Sequence, residues 1–160
     1  MVKFKVEPLK MKSLLLIIFA CILTVPAFSQ SEEAAVKAVI ESLFDGMRTK
    51  NSDKIARVFS ENAIMQTIET AGDIGEVKAG SVADFVNGIG SLPMDTKLDE
   101  RITDYQINID EPMATAWTPY EFYVNDEFSH CGVNSFQLVK MAAGWKIVYI
   151  IDTRRKEGCS

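Results

Sequence analysis

The sequence is poor in the side chains that bind metals and nucleic acids. Its 160 residues contain one histidine and three cysteines, and acidic residues outnumber basic ones by 22 to 17. A single histidine without carboxylates at ligand spacing does not make a metal site. The net charge of −5 opposes binding to nucleic acid and to anionic lipid, because both attract basic surfaces. We therefore predict no metal, no cofactor and no nucleic-acid partner.

The longest apolar run is short and lies near the N-terminus. Lysines precede the run "SLLLIIFACILTV", and a small-x-small site at residues 27–29 follows it. This order is typical of a secretory signal peptide, and the run is short for a membrane span. We predict a signal peptide over residues 1–29, with Met11 as an alternative start, and no membrane attachment after cleavage. Lipidation at Cys21 is the competing interpretation.

Export changes both the charge and the role of the cysteines. Cleavage after Ser29 leaves 13 basic and 21 acidic residues, so the net charge becomes −8. It also leaves Cys131 and Cys159 as the only cysteines, in a compartment where disulfides persist. We predict a periplasmic or secreted location and a disulfide between these two residues. A buried Cys131 with a free C-terminal thiol is the alternative.

The remaining chain, residues 30–160, has the length and apolar content of a single domain. Apolar residues recur at helical spacing from Ala35 to Met47, and two shorter helical segments are predicted near residues 52–59 and 82–90. The glycine-rich segment 71–81 is predicted as a loop. Strand-like runs cover residues 61–70, 99–109, 114–124, 127–141 and 145–154. Helices that precede an antiparallel meander indicate an α+β fold.

Two segments resemble the nuclear transport factor 2-like superfamily, which includes ketosteroid isomerase and polyketide-cyclase-like proteins. In "AAVKAVIESLFDGMRTKNSDKIARVFSENAIM" a long helix, a polar break and a short helix lead into a strand, and "GWKIVYIIDT" is the final strand. The latter is most similar to the exported branch labelled "putative lumazine-binding". The resemblance implies a cone-shaped, curved, mostly antiparallel sheet with the N-terminal helices packed on its concave face. It also implies a homodimer.

The two predicted hairpins determine which side chains share a face of the sheet. Two-residue turns at 125–126 and 142–143 pair Glu121 with His130 and bring Asn134 opposite Ile151. One face is then mostly aromatic, which is the composition of a cavity wall. Its members are Trp117, Glu121, Tyr123, Phe128, His130, Asn134, Phe136, Leu138, Ile147, Tyr149 and Ile151. The other face, which includes Ser135, Gln137 and Asp152, is predicted to meet solvent or a dimer partner.

This arrangement supports three functional hypotheses. The leading one is an exported domain that binds a small apolar or aromatic ligand. The second is an isomerase, cyclase or dehydratase in which Glu121 and His130 act as an acid-base pair, although a structural pair is the alternative. The third is a dimeric protein-interaction module. The predicted ligand contacts are Trp117, Tyr123, Asn134, Phe136 and Tyr149, with Met65 and Phe85 completing the cavity.

Two arginines follow the last predicted strand. The guanidinium groups of Arg154 and Arg155 are suited to carboxylates and phosphates, which they bind through paired hydrogen bonds. One interpretation is an anion site at the mouth of the cavity. The other is a pair of solvated strand-end arginines without a specific role.

Overall fold

The computed structural model describes residues 27–71 and 74–159. The chain divides into two units, Met1–Ser31 and Glu32–Ser160, and the second unit contains the sheet. Most of the predicted signal peptide, together with Cys21, lies outside the described residues. Within the described ranges, no helix combines the length and the apolar character needed to cross a membrane.

Three helices are present in the described residues. They are α1 Ala27–Arg48, α2 Ser52–Val58 and α3 Val82–Gly90. The side chain of Asn51 caps α2 by accepting a hydrogen bond from the Lys54 backbone N–H at 2.9 Å. Ser81 caps α3 in the same way, with the Asp84 backbone N–H as donor at 3.3 Å. Buried apolar residues follow one side of α1, as its helical spacing predicts.

Seven strands form one sheet in the order β2-β1-β7-β6-β5-β3, and β4 also pairs with β5. All pairings are antiparallel except the parallel pairing of β1 with β7. The strands are β1 Phe59–Ala71, β2 Ile74–Gly80, β3 Leu98–Ile102, β4 Gln106–Asp110, β5 Met113–Val124, β6 Glu127–Met141 and β7 Gly144–Arg155. The sheet is curved and the N-terminal helices precede it, which confirms the predicted α+β cone.

One face of the sheet, called the inner face here, packs against the helices. It contains the even-numbered residues of β5 from 114 to 122 and of β6 from 130 to 138. Phe136 and Leu138 are fully buried there, and Phe136 contacts the edge of the Phe44 ring at a centroid distance of 6.3 Å. Burial of this apolar surface is the main stabilising contribution to the fold. The odd-numbered residues of β5 and the odd-numbered residues of β6 from 131 to 139 lie on the outer face.

Two segments differ from their predicted secondary structure. Residues 74–80 were predicted as a loop but form the exposed edge strand β2, paired with β1. The predicted continuous strand 99–109 is divided into β3 and β4, which pair with opposite halves of β5. Pro119 lies between these halves and has no N–H to donate. Its carbonyl instead accepts a hydrogen bond from the Thr103 N–H at 2.9 Å.

The hairpin between β5 and β6 turns where predicted and then departs from the predicted register. Asn125 and Asp126 have φ angles of 54° and 66°, as a two-residue turn of type I′ requires. Tyr123 pairs with Phe128, but Phe122 pairs with His130, so Ser129 is an extra residue in β6. A one-residue bulge of this kind changes which residues of the partner strand, the odd-numbered or the even-numbered ones, share a face with a given residue of β6.

A second bulge lies between β6 and β7. Leu138 pairs with Ile147 as predicted, whereas Gln137 pairs with Tyr149, which leaves Val148 unpaired. Beyond this point β7 is also displaced by one residue. The bulge exchanges the two faces of β7 relative to the prediction, so that Asp152 and not Ile151 lies opposite Asn134.

The predicted contact between Glu121 and His130 is therefore wrong. Glu121 pairs with Cys131 on the outer face, while His130 pairs with Phe122 on the inner face. From His130 to Leu138 the residues of β6 keep the inner positions predicted for them. Phe128, which precedes the bulge, was also predicted on the inner face, and that prediction is wrong: it pairs with Tyr123 on the outer face and is 45% exposed. The neighbouring residues of β5 and β7 change sides because each of the two bulges adds one residue.

Candidate functional site

A cavity of about 360 Å³ lies between the inner face of the sheet and the helices. Most of its wall is apolar, and the side chains that form it are Leu43, Phe44, Met47, Met65, Phe85, Ile89, Phe122 and Ile150. The polar residues that line the cavity are Gln66, Thr67, Glu100, Tyr120, His130, Asn134, Asp152 and Arg154. An apolar wall with a few convergent polar groups is typical of a small-molecule site.

Glu100 and Asn134 form a buried polar contact in this cavity. The amide nitrogen of Asn134 donates a hydrogen bond to Glu100 Oε1 at 2.7 Å. Asn134 is 4% exposed, and its backbone carbonyl accepts a hydrogen bond from Thr118 Oγ1 at 3.4 Å. The contact crosses from β3 to β6, so the fold, and not local sequence, brings the two side chains together. It fixes Oε1 as the acceptor and leaves Oε2 to carry a proton.

The Glu100 carboxyl is the most perturbed acid of the cavity. Burial raises the pKa of Glu100 to about 7; the hydrogen bond from Asn134 opposes this rise, and the charge of Asp152 adds to it. The side chain keeps some exposed surface because it faces the cavity. Near neutral pH this group is present in both protonation states, which suits it to donate and to accept a proton.

Asp152 and Arg154 form an ion pair that extends from the interior toward solvent. Arg154 Nε donates to Asp152 Oδ2 at 2.7 Å, and the two side chains are 58% and 12% exposed. Both line the cavity because the Val148 bulge turns this part of β7 inward. Asp152 was predicted on the opposite face, and that prediction is wrong for the same reason.

Tyr120 on β5 lies directly opposite Gly132 on β6. A Cβ atom on Gly132 would be 2.9 Å from Tyr120 Cε1 and 1.8 Å from the Thr153 carbonyl oxygen, so only glycine fits there. The Tyr120 hydroxyl donates a hydrogen bond to the same carbonyl at 3.0 Å. Burial raises the pKa of Tyr120, so its hydroxyl stays protonated at physiological pH.

His130 reaches the cavity beside two aromatic rings. Its imidazole lies 5.0 Å from the Phe122 ring and 5.8 Å from the Tyr120 ring, between centroids. Nδ1 is 3.1 Å from Ser129 Oγ. Burial lowers the pKa of His130, and the nearby charge of Arg154 lowers it further. The imidazole is therefore neutral at pH 7.

Several predicted site residues lie on the outer face, away from the cavity. Trp117 is 50% exposed there, and the Tyr123 hydroxyl donates to Glu121 Oε2 at 2.9 Å. The Tyr149 hydroxyl donates to Gln66 Oε1 at 2.6 Å, and Tyr149 pairs with the exposed Gln137. The two bulges explain these positions, because the prediction assumed a register without them.

Two further predicted residues do not line the cavity for other reasons. Phe136 lies on the inner face but is fully buried in the core, below the cavity wall. Arg155 is exposed, and its Nε donates to the Gly158 carbonyl at 3.3 Å. Of the predicted residues, those found in the lining are Met65, Phe85, His130, Asn134 and Arg154.

Cys131 and Cys159 form a disulfide bond, with their Cα atoms 5.8 Å apart. Cys131 is 2% exposed on β6, so the bond fastens the C-terminal segment to the sheet. In the part of the chain that the structure describes, no three His, Cys, Asp or Glu side chains are grouped to hold a metal ion.

The sequence interpretation missed Glu100, Tyr120 and Asp152. Glu100 lies between Asp99 and Arg101 in a charged run that resembles an exposed strand. The only local signal was Gly132, because a glycine inside a strand often marks a close approach of another group. Its neighbour across the sheet, Tyr120, could have been placed on the inner face from that signal.

Comparison with protein families decides the classification. A family model described as "Putative lumazine-binding" matches residues 31–150. The chain belongs to this family. Comparison with curated proteins gave no match.

Several solved structures have a fold similar to that of this chain. A nuclear transport factor 2-like protein with a cystatin-like fold from Novosphingobium aromaticivorans has a TM-score of 0.67 at 13% identity, over 85% of this chain and 89% of that chain. A nuclear transport factor 2-like protein of unknown function from Shewanella baltica has a TM-score of 0.59 at 16% identity, over 79% and 96%. A "Putative Scytalone Dehydratase" from Novosphingobium aromaticivorans has a TM-score of 0.62 at 13% identity, over 79% and 86%. These similarities confirm the predicted nuclear transport factor 2-like fold.

Proposed function

We propose that this member of the family is an exported domain that binds a small, mostly apolar molecule in the cone cavity. The observation that supports the proposal is the cavity itself, whose volume of about 360 Å³ and largely apolar wall suit a ring compound of modest size. The description of the family points to ligand binding as well. A ring would lie between α3 and the inner face and direct a polar group toward Glu100 and Asn134.

A thermal-shift screen with a panel of ring compounds tests this proposal. Binding to the folded state raises the melting temperature in proportion to the logarithm of ligand concentration. Ile89→Trp adds bulk at a lining residue and is expected to abolish the shift. Met94→Trp is the matched control, because Met94 is 89% exposed and does not line the cavity. A shift that Ile89→Trp leaves intact would contradict binding in this cavity.

A second candidate is an enzyme that moves a proton on the bound ligand, in the manner of an isomerase or dehydratase. The specific observation in its favour is Glu100, which faces the cavity with a pKa of about 7. Glu100 takes the role predicted for Glu121. The Tyr120 hydroxyl is protonated as well, but its proton is donated to the Thr153 carbonyl. The name of one structural neighbour contains a dehydratase activity, which is consistent with this chemistry.

An unsaturated-ketone assay tests the enzyme candidate. Conversion of a β,γ-unsaturated ketone to its conjugated isomer is followed by ultraviolet absorbance. Glu100→Gln is expected to keep ligand binding and to lose at least a hundredfold in rate, since the amide cannot accept the proton. A wild-type rate no higher than the rate of the buffer would contradict catalysis of this reaction.

Export and self-association complete the proposal. The basic start and apolar run support export, and a disulfide between Cys131 and Cys159 is consistent with an oxidising compartment. Mass spectrometry of the purified native protein should give a chain that begins at Gln30.

For a homodimer, the outer face supplies exposed apolar side chains such as Trp117 and Ile64. Light scattering should then show a dimer that Trp117→Glu dissociates.

A further inference from the structure

The rim of the cavity is the region around His130 and Arg154, where the lining reaches solvent. Arg154 is held to Asp152 through Nε, and its side chain is 58% exposed. Among the described residues, no hydrogen-bond partner contacts the two terminal nitrogens of this guanidinium. A guanidinium that is fixed at one nitrogen and accessible at the others is suited to bind an anionic oxygen group.

Lys156 adds a second positive charge to the rim. Arg155 pairs with Cys131 at the end of β7, so the same register brings Lys156 to the level of His130. Arg154 lines the cavity together with His130. The charges of Arg154 and Lys156 both lower the pKa of His130, in agreement with these positions. The charged group of opposite sign that faces His130 is Asp152, which is already paired with Arg154. Arg154 and Lys156 outnumber Asp152, so these three side chains carry one net positive charge although the whole chain is acidic.

The disulfide fixes the position of Lys156. Strand β7 ends at Arg155, and Cys159 is bonded to Cys131, the residue that follows His130 in β6. Lys156 thus lies in a segment held at both ends. Arg155 adds a contact within this segment, because its Nε donates to the Gly158 carbonyl at 3.3 Å. Without the disulfide, the segment after β7 would be an ordinary solvated chain end.

The interior of the cavity has the opposite electrostatic character. Glu100 and Asp152 are the acids that line it, and Asp152 is 12% exposed. An ionised carboxylate deep in the cavity would be repelled by the ionised form of Glu100 and would lose its hydration. The two regions therefore favour one orientation of an amphipathic molecule: its anionic group at the rim and its neutral, apolar end inside.

We propose that the cavity binds an apolar ring compound that carries a carboxylate or a similar anionic group, and that Arg154 and Lys156 bind this group at the rim. The disulfide between Cys131 and Cys159 holds Lys156 in position for this contact. The inference rests on the proposed ligand-binding function and specifies its ligand class. It also gives the C-terminal disulfide a role in ligand recognition beyond stability.

Three probes of equal size and different charge test the inference. They are 2-naphthoate, 2-naphthamide and 2-naphthamidine, which are anionic, neutral and cationic at pH 7.5. Isothermal titration at low ionic strength is expected to show 2-naphthoate binding about fivefold more tightly than 2-naphthamide, and 2-naphthamidine most weakly. The ratio of the naphthoate affinity to the naphthamide affinity is the diagnostic quantity, because the apolar contribution cancels in it.

Two variants connect this ratio to the rim. Lys156→Glu and Cys159→Ser are each expected to bring the ratio close to one. Arg57→Glu is the control, because Arg57 lies on α2 with a side chain 78% exposed and outside the cavity lining. It should leave the ratio unchanged. If Cys159→Ser does not fold, Lys156→Glu still tests the contact in a chain that retains its disulfide.

The outcomes separate this inference from the proposed function. Binding of 2-naphthamide that equals or exceeds that of 2-naphthoate would overturn the anionic-ligand class while leaving ligand binding intact. An unchanged ratio in Lys156→Glu would overturn the role of the rim. Failure of all three probes to bind would contradict the proposed function itself.

Discussion

Replacement of Glu100 by glutamine is expected to stabilise the protein at alkaline pH. Glutamine keeps an oxygen that can accept the hydrogen bond from Asn134, which is 2.7 Å long in the wild type. It removes the carboxyl group that burial makes costly to ionise. The variant therefore isolates a single electrostatic effect with little change in shape.

The magnitude follows from the difference between the folded and unfolded pKa of Glu100. The folded value is about 7 and the usual value is 4.5. Between these values the unfolded chain releases the proton while the folded chain retains it, so the wild type loses stability as the pH rises. The loss amounts to about 3 kcal/mol between pH 4 and pH 8, at about 1.4 kcal/mol for each pKa unit. Glu100→Gln does not suffer this loss.

Urea denaturation of both proteins from pH 4 to pH 8 measures the effect. The free energy of unfolding of Glu100→Gln should match that of the wild type near pH 4 and exceed it by about 3 kcal/mol at pH 8. Asp99→Asn is the control. Hydrogen bonding to Arg101 lowers the pKa of Asp99, so the stabilisation that the Asp99 carboxylate provides is lost only as the pH falls below about 4. A constant difference between wild type and Glu100→Gln across this range would refute the burial argument.

Three other predictions concern the close approach at Gly132, the pKa of Glu100 and the disulfide. Gly132→Ala should cost about 3 kcal/mol or more in urea denaturation, because the added methyl group overlaps the Thr153 carbonyl; near-wild-type stability would contradict the close approach. Asn134→Leu should raise the pKa of Glu100 above its wild-type value, because the hydrogen bond from Asn134 stabilises the ionised form in the wild type and the variant lacks it. The carboxyl carbon shift in NMR measures this pKa. Cys159→Ser should lower the unfolding free energy by about 3.6 kcal/mol, the chain-entropy value for a loop of 28 residues, and reduction of the wild type should have the same effect.

Local sequence was sufficient to predict most elements of the fold. Helix α1 follows from apolar residues at a spacing that only a helix brings to one side, and the turn at Asn125 and Asp126 follows from residues that tolerate positive φ. Strand β2 was not predictable in this way. Its glycines indicate a loop, and pairing with β1 overrides that local preference.

The candidate site was less predictable because two single residues control it. Ser129 and Val148 are ordinary strand residues, and nothing in their chemistry marks a bulge. Each nevertheless exchanges the faces of a neighbouring strand, which moves Asp152 into the cavity and Glu121 out of it. Glu100 is buried by elements distant in sequence, so its unusual pKa is a property of the tertiary structure.

Chemical-shift mapping with 2-naphthamide tests the central claim, that the inner face of the cone is the binding face. At saturating probe concentration, the predicted changes in amide and side-chain shifts occur at Phe85, Ile89 and Asn134, which line the cavity. The outer-face residues Trp117 and Tyr149 should not change. Changes concentrated at Trp117 and Tyr149, with the cavity residues unaffected, would show that the molecule binds its ligand on the other side of the sheet.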